Sequence, residues 1–338
     1  MPGRLTAYSP FRVSFAGGGT DISPFVDSYG SALINTTIGR GVTVRYVDDP
    51  YPVEVSSRDF LISSVPGSSG RGKRHIGKQL VELIRRFGIT TGKFLINSDV
   101  PPGSGLGSSS ALITALVKII DTIRGSSGGS SALAESSFKI ERDFMGIMLG
   151  KQDPYAIAKG GFKFMEFGGD NVSVSYFSPD NAVLKYIDAH SLIIYTGKSR
   201  ESSKVLRAQV GAVSQRSTQV IETLLRIKQI SFEMKSAVEN EDLDGFIDLV
   251  NRGWEEKKKL SPIVTNERID GIIKEGFRSG AVAARLLGGG SEGFIFMLSG
   301  EDELFNLQSD MMKHSKFVVR ISIDHRGTRL VPGVHNGE

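Results

Sequence analysis

The sequence predicts an α+β fold divided between two domains, residues 1–185 and 186–338. Three observations carry that expectation. The chain has 338 residues, enough for about two domains whose cores need no disulfide or metal. Its first half reads as short strands and glycine-rich turns around one strand–loop–helix unit at 97–120. From residue 202 the composition shifts towards Lys, Glu, Arg and Ile, and the apolar spacing becomes that of long helices set against a few strands.

In chain order, residues 11–16 alternate as a half-buried strand and run into Gly17, Gly18, Gly19, Thr20 and Asp21. The spacing is not that of a dinucleotide fingerprint, so the loop reads as one that delivers Asp21 to a ligand. Residues 31–48 predict a strand hairpin turning at Gly39-Arg40. The Gly/Ser-rich basic stretch 63–78 is either a solvated mobile loop or a lid on the nucleotide side, the two weighing equally. A helix follows at 78–86, and 93–96 form an extended apolar approach to Pro101 and Pro102. Then come glycines at 103, 105 and 107, three serines, and a helix from Ala111 to near Gly125. After a flexible connection at 125–131, a helix at 132–148 carries Glu141 and Asp143. The turn LGKQDP places Asp153 before Pro154, with one more helical turn at 155–158. Residues 162–167 and 172–177 alternate as a hairpin across Gly168-Gly169, and 192–195 form a buried strand opening onto Thr196-Gly197-Lys198-Ser199-Arg200. Helices are expected at 202–239, broken near 216, and at 242–259 and 266–279. Strands are expected at 281–287, 294–298 and 316–323, the first two joined by the Gly288-Gly289-Gly290 loop.

The loop at 102–110 is the chemical centre of this pattern. Glycine lets backbone N–H groups approach an anion closely, and a helix N-terminus adds unpaired donors and the positive end of its dipole. A phosphate is the natural guest, though a plain Gly/Ser turn capping a helix is the simpler alternative. No Lys-Ser/Thr pair follows the last glycine, so this is not a Walker loop. Phosphoryl transfer also needs a cation, oxygen ligands for it, and a residue to orient or deprotonate the acceptor. A serine at the start of the helix, Glu141 and Asp153 supply those residue types; solvated surface carboxylates and a turn aspartate are the plainer readings of the last two. Composition excludes other classes. There is no cysteine, hence no disulfide framework, thiol nucleophile or thiolate metal site, and the five histidines lack metal-ligand spacing. A net charge of +4 spread over 41 basic and 37 acidic residues is no nucleic-acid stripe. No apolar run suits a bilayer and the N-terminus lacks a signal-peptide core, so a cytoplasmic protein without membrane partners is expected, as monomer or homodimer.

The segments SPFRVSFAGGGTD, PPGSGLGSSSA and IERDFMGIMLGKQDPYA, with the late GGG loop, together resemble the GHMP small-molecule kinases over nearly the whole chain. Within that superfamily FAGGGTD, GKQDPYA, GGFKFMEF and IIYTGKSR look most like the heptose 7-phosphate kinases. The resemblance implies an N-terminal domain like ribosomal protein S5 domain 2 and a ferredoxin-like C-terminal domain, with an ATP- and Mg²⁺-dependent site between them. By motif position it implies that Pro102, Gly103, Ser104, Gly105, Leu106, Gly107, Ser108, Ser109 and Ser110 wrap the ATP phosphates, completed by Gly288, Gly289 and Gly290. Ser109 and Glu141 match the magnesium ligands, Asp153 the catalytic base, and Gly19, Thr20 and Asp21 the substrate loop. Two departures from the heptose-kinase pattern, Thr37-Ile38-Gly39-Arg40-Gly41 and the Ser291-Glu292 interruption, turn the acceptor reading towards mevalonate 3-phosphate at its 5-hydroxyl, giving mevalonate 3,5-bisphosphate. Heptose 7-phosphate at its anomeric hydroxyl is the alternative, and an ATP-dependent decarboxylase or a non-catalytic sensor are lesser ones. A phosphorylated acceptor asks for further cations, with Arg12, Lys151, Lys163, Lys198 and Arg200 the candidates beside motifs. Trp254 and the run Lys257 to Lys259 read as helix packing and a solvated face.

Overall fold

The computed structural model describes residues 3–57, 62–64, 74–101, 103–126, 128–169, 171–197 and 202–332. In order these form β1 (Arg4–Ala16), α1 (Phe25–Tyr29), β2 (Ser31–Pro52), β3 (Glu54–Ser57), β4 (Ile62–Ser64), α2 (Arg74–Arg86), β5 (Thr91–Ser98), α3 (Ser108–Ile123), α4 (Ser130–Lys139), α5 (Gln152–Lys159), β6 (Lys163–Gly168) and β7 (Asn171–Tyr176). Then follow α6 (Ala182–His190), β8 (Ser191–Tyr195), α7 (Ser202–Ser214), α8 (Thr218–Glu239), α9 (Leu243–Lys258), α10 (Glu267–Arg278), β9 (Ala281–Leu286), β10 (Phe294–Ser299), α11 (Leu304–Met311), β11 (Val318–Arg320) and β12 (Arg329–Leu330). Most of the 63–78 stretch lies outside the described residues.

Two sheets divide the strands. The first runs β12-β1-β2-β5-β3-β4, with β6 and β7 extending from β2; the second is an antiparallel β11-β8-β10-β9. The expected hairpin at 31–48 is instead one continuous strand of 22 residues. The register jumps from Phe11↔Ile38 to Pro10↔Gly41, so Gly39-Arg40 is a bulge opposite Pro10. Proline has no N–H to give the ladder, and a bulge is where a sheet tolerates that loss. Gly39 instead donates to the Ser322 carbonyl (2.8 Å) and Gly41 to the Asp99 carboxylate (2.8 Å).

The helix that opens at the glycine loop packs its apolar face on β1 and β2, burying Leu112, Ile113, Leu116, Val117, Ile119 and Ile120. It ends at Gly125, whose φ of +69° follows two backbone bonds, Ser126 N–H to Asp121 and Gly125 N–H to Thr122. That pair is the Schellman closure, and it needs the left-handed residue that glycine supplies without a Cβ clash.

The two sheets share core. Phe15 of β1 stacks on Phe162 (5.2 Å between ring centres) and meets Phe246 of α9 and Phe296 of β10 edge-on (5.5 and 5.3 Å). Such pairs contribute roughly 0.5–1.5 kcal/mol each beyond burial. The backbone agrees, since Phe294 N–H donates to the Ser104 carbonyl of the glycine loop (3.1 Å). After Arg320 the chain returns to the first sheet, with Ile323 bridging Ile38 and β12 pairing β1. The single expected boundary at 185/186 did not include that return.

Candidate active site

The glycine loop reaches α3 through three left-handed glycines, Gly103, Gly105 and Gly107, with φ of +74°, +77° and +74°. No side chain caps α3, so its first N–H groups face outward from Gly107, where a phosphate would accept them. Space as well as φ requires glycine here. A Cβ on Gly105 would lie 2.8 Å from the Leu287 carbonyl oxygen, and one on Gly288 would lie 2.5 Å from the Gly105 Cα. The two glycine turns therefore meet backbone to backbone across the domains.

Beside this loop the chain after α4 widens into one π-helical turn, Ile140–Phe144, closed by the Met145 N–H on the Ile140 carbonyl (3.0 Å). The turn aims Glu141 inward, where it is 1% exposed, while Asp143 stays outside paired with Arg142 (2.6 Å). Ser109 and Ser110 donate their hydroxyls to the two Glu141 oxygens at 2.8 and 2.6 Å. Burial pushes the Glu141 carboxyl up to about 7, against those two hydrogen bonds. A serine oxygen and a buried carboxylate are hard oxygen donors, the kind Mg²⁺ takes while keeping water and phosphate in its other positions. Among the described residues no cluster of three His, Cys, Asp or Glu would hold a metal alone. The residues thus fit an ion shared with ATP, which would be held by Ser109 and Glu141 and would supply positive charge to the transferring phosphoryl group.

Asp153 stands in the first turn of α5, before Pro154, whose missing N–H is harmless at a helix start. Arg12 of β1 grips it with two parallel bonds, Nε to Oδ1 at 2.7 Å and Nη2 to Oδ2 at 2.8 Å, and gives Nη1 to the Gly105 carbonyl at 2.5 Å. Its own N–H donates to the Leu106 carbonyl (3.0 Å). One guanidinium therefore ties the carboxylate to the glycine loop, the bidentate geometry that Lys cannot reproduce.

On the other side Asp21 is buried against α5, its Oδ2 accepting Gln152 N–H at 2.9 Å. Burial pushes its carboxyl up to about 6, with the nearby Asp153 adding to the rise. Gln152 Nε2 donates to Ser14 (2.8 Å), and Gln209 of α7 donates to the Gly19 carbonyl (2.8 Å).

These groups surround one cavity of about 320 Å³, the size of a small-ligand site. It is lined by Arg12, Gly19, Asp21, Gly103, Gly105, Gly107, Ser108, Ser109, Asp153, Gly288 and Gly289 of the expected residues, with Glu141 bonded behind Ser109. Others face elsewhere. Thr20 closes its own turn on the Gly17 carbonyl and Ser31, Leu106 is core, and Ser104 and Gly290 pack against β10 and Val264. Two of the expected cations do not line the cavity. Lys151 turns to α4 and pairs with Glu135 (3.2 Å), and Lys163 is fully buried, donating to the Gly161 carbonyl (2.8 Å). Pro102, Lys198 and Arg200 lie outside the described residues. Neither departure that favoured mevalonate, 37–41 or 291–292, lines the cavity. Conversely, Ser14, Gln152, Gln209 and Arg285 line it although no motif points to them, and so does Lys257, which the sequence places on a solvated face but which is buried at the end of α9.

Comparison with known proteins agrees with this layout. The chain is 28% identical to a D-glycero-alpha-D-manno-heptose 7-phosphate kinase of Campylobacter jejuni, over 96% of this chain and 98% of that one. It is 28% identical to a mevalonate kinase of Archaeoglobus fulgidus, over 77% and 85%. The crystal structure of a D-glycero-D-manno-heptose 1-phosphate kinase from Bacteriodes thetaiotaomicron has the same fold, with a TM-score of 0.76, 97% and 99% coverage and 23% identity. Residues 75–161 match the GHMP kinases N terminal domain and residues 234–315 match the GHMP kinases C terminal domain. With both family domains present in order and the two glycine turns meeting between them, the chain belongs to the GHMP kinases and is a phosphotransferase with an alcohol group as acceptor.

Proposed function

We propose that the protein transfers the γ-phosphoryl group of ATP, with Mg²⁺, to a hydroxyl of a small molecule that already carries a phosphate, and that this acceptor is a heptose 7-phosphate. The observation that carries the acceptor is the end-to-end likeness to the Campylobacter enzyme, which spans nearly all of both chains where the mevalonate kinase likeness does not. That reverses the order of the two acceptors expected from the sequence, and the geometry offers a reason: the residues at 37–41 and 291–292 that argued for mevalonate 3-phosphate do not face the cavity. In this reading the glycine loop and α3 hold the donor phosphates, Ser109 and Glu141 hold the metal, and Asp21 fixes an acceptor hydroxyl. Asp153, held by Arg12, takes the proton from the attacking hydroxyl as the phosphoryl group moves.

One observation favours mevalonate 3-phosphate as the second reading. Ile22, Met148, Leu149, Val205, Leu206 and Leu260 all line the cavity, a wall that suits an aliphatic chain better than a ring of hydroxyls. A coupled ADP-release screen with heptose 7-phosphate, mevalonate 3-phosphate, mevalonate 5-phosphate and mevalonate separates the two. ADP release is expected with heptose 7-phosphate; release with mevalonate 3-phosphate alone would replace that acceptor, and release with none would remove both.

A further inference from the structure

Among the described residues, two of the cavity's cations have no counter-charge. Lys257, at the end of α9, is 7% exposed, and Arg285, in the otherwise apolar strand β9, is 3% exposed. Lys257 Nζ donates to the Gly288 carbonyl and Arg285 Nη1 to the Phe15 carbonyl. Arg285 Nε is buried with no partner, and neither side chain makes an ion pair among the described residues. Arg12, the third cation of the cavity, is matched by Asp153.

We propose that Lys257 and Arg285 form the subsite for the phosphate that the acceptor carries into the reaction; this deepens the phosphorylated-acceptor reading above and rests on it. A buried ion without a partner costs several kcal/mol, and an anion in the cavity offsets that cost. Burial and the neighbouring Arg285 and Arg12 charges push the Lys257 ammonium well below its ordinary range, and burial with Arg12 lowers Arg285 to about 10. Both directions reverse when a dianion binds beside them. The donor phosphates already have the glycine loop and the start of α3. Arg285, by contrast, reaches the carbonyl of Phe15, two residues before the Gly17 turn that leads to Asp21, and so lies at the acceptor end. Lys257, bonded to Gly288, stands between the two ends.

The test uses inorganic phosphate as probe, with a saturating magnesium complex of a non-hydrolysable ATP analogue in place. Phosphate is expected to raise the melting temperature of the wild type above its nucleotide-bound value. Lys257→Met and Arg285→Met should lose that rise and keep the rise due to nucleotide, and Arg285→Lys should recover part of it. With an accepted phosphorylated substrate, each Met variant should raise the acceptor KM roughly 10- to 100-fold at unchanged ATP KM, the range of a lost charged hydrogen bond. No phosphate effect in the wild type, an effect that survives in both Met variants, or variants that lose the nucleotide rise instead would each overturn the subsite. Should Arg285→Met not fold, Lys257→Met alone carries the loss, Arg285→Lys the reduced rise, and a full rise in both would overturn the subsite. Because the probe is phosphate itself, inactivity towards heptose 7-phosphate would count against that acceptor and leave the subsite legible.

Discussion

On the proposed function, the donor and acceptor halves of this cavity are built from different materials. The donor half is mostly backbone: three left-handed glycines, the open N-terminus of α3 and a second glycine turn in contact with the first. The acceptor half is mostly side chains drawn from separate elements, Asp21 after β1, Gln152 of α5, Gln209 of α7 and Arg285 of β9, with Lys257 of α9 at its border with the donor turn. A backbone cradle recognises a phosphate whatever is attached to it. A side-chain wall can change one residue at a time, so the difference locates common chemistry in one half and substrate choice in the other. Asp153 and Arg12 join the two, since Arg12 bonds both the carboxylate and the glycine loop.

The largest effect should come from breaking that joint. Asp153→Asn keeps the shape and a hydrogen-bonding oxygen for Arg12 but removes the proton acceptor, and should lower kcat about a hundred- to ten-thousandfold with nucleotide affinity largely kept. Steady-state rates with nucleotide titrations check it, and full turnover would take Asp153 out of the base role. Next, Gly105→Ala attacks the donor half alone. A Cβ there meets the Leu287 carbonyl at 2.8 Å on a backbone with φ of +77°. Strain of about 1–3 kcal/mol should raise the ATP KM roughly tenfold or more and leave the acceptor KM near its wild-type value. A matching rise for the acceptor would mean that the halves are not separable. On the acceptor side, Gln209→Ala removes one neutral hydrogen bond to the Gly19 carbonyl (2.8 Å). A loosened Asp21 loop should raise the acceptor KM about 3- to 10-fold, with ATP untouched.

The same difference in material decides what could be read from the sequence. The donor loop is contiguous and its glycines are required by φ and by contact, so residues 103–110 announce themselves. The acceptor wall is assembled by tertiary packing, which single-sequence patterns do not report. Two signals for it were nonetheless present. Arg285 is a charge inside an apolar strand run, and Lys257 continues the buried stripe of α9 formed by Phe246, Leu249, Val250, Gly253 and Trp254. Reading the three lysines together as a solvated face hid it, because Lys258 and Lys259 do lie outside, paired with Glu255 and Glu256 at 2.7 and 2.6 Å. In the fold, Gly39-Arg40 has turn composition, and only the long-range pairing with β1 makes it a bulge. The return of the chain to the first sheet is likewise long-range pairing, of β12 with β1 and Ile323 with Ile38, which local pattern does not report.

Lys163 is the smallest and cleanest contrast with the acceptor cations, since it is buried yet away from the cavity. Burial lowers its ammonium from 10.5 to about 7, with Lys159 adding to the fall and Asp324 opposing it. Between about pH 7 and 10.5 the unfolded chain holds a proton at this lysine that the folded chain has released, so stability should rise with pH through that window. Below about pH 7 both forms are charged and the burial cost is felt in full. Lys163→Met fills the same volume without the charge, and replacing a buried ion by an apolar side chain is often neutral or stabilising. The variant should therefore be at least as stable as the wild type at pH 7, show a flatter dependence of stability on pH up to about 10.5, and keep both KM values. Urea unfolding at pH 7 and pH 9, run beside the kinetics, reads all three. A raised acceptor KM in a well-folded Lys163→Met protein would return this residue to the substrate site, and with it the idea that any buried cation near a motif serves the acceptor.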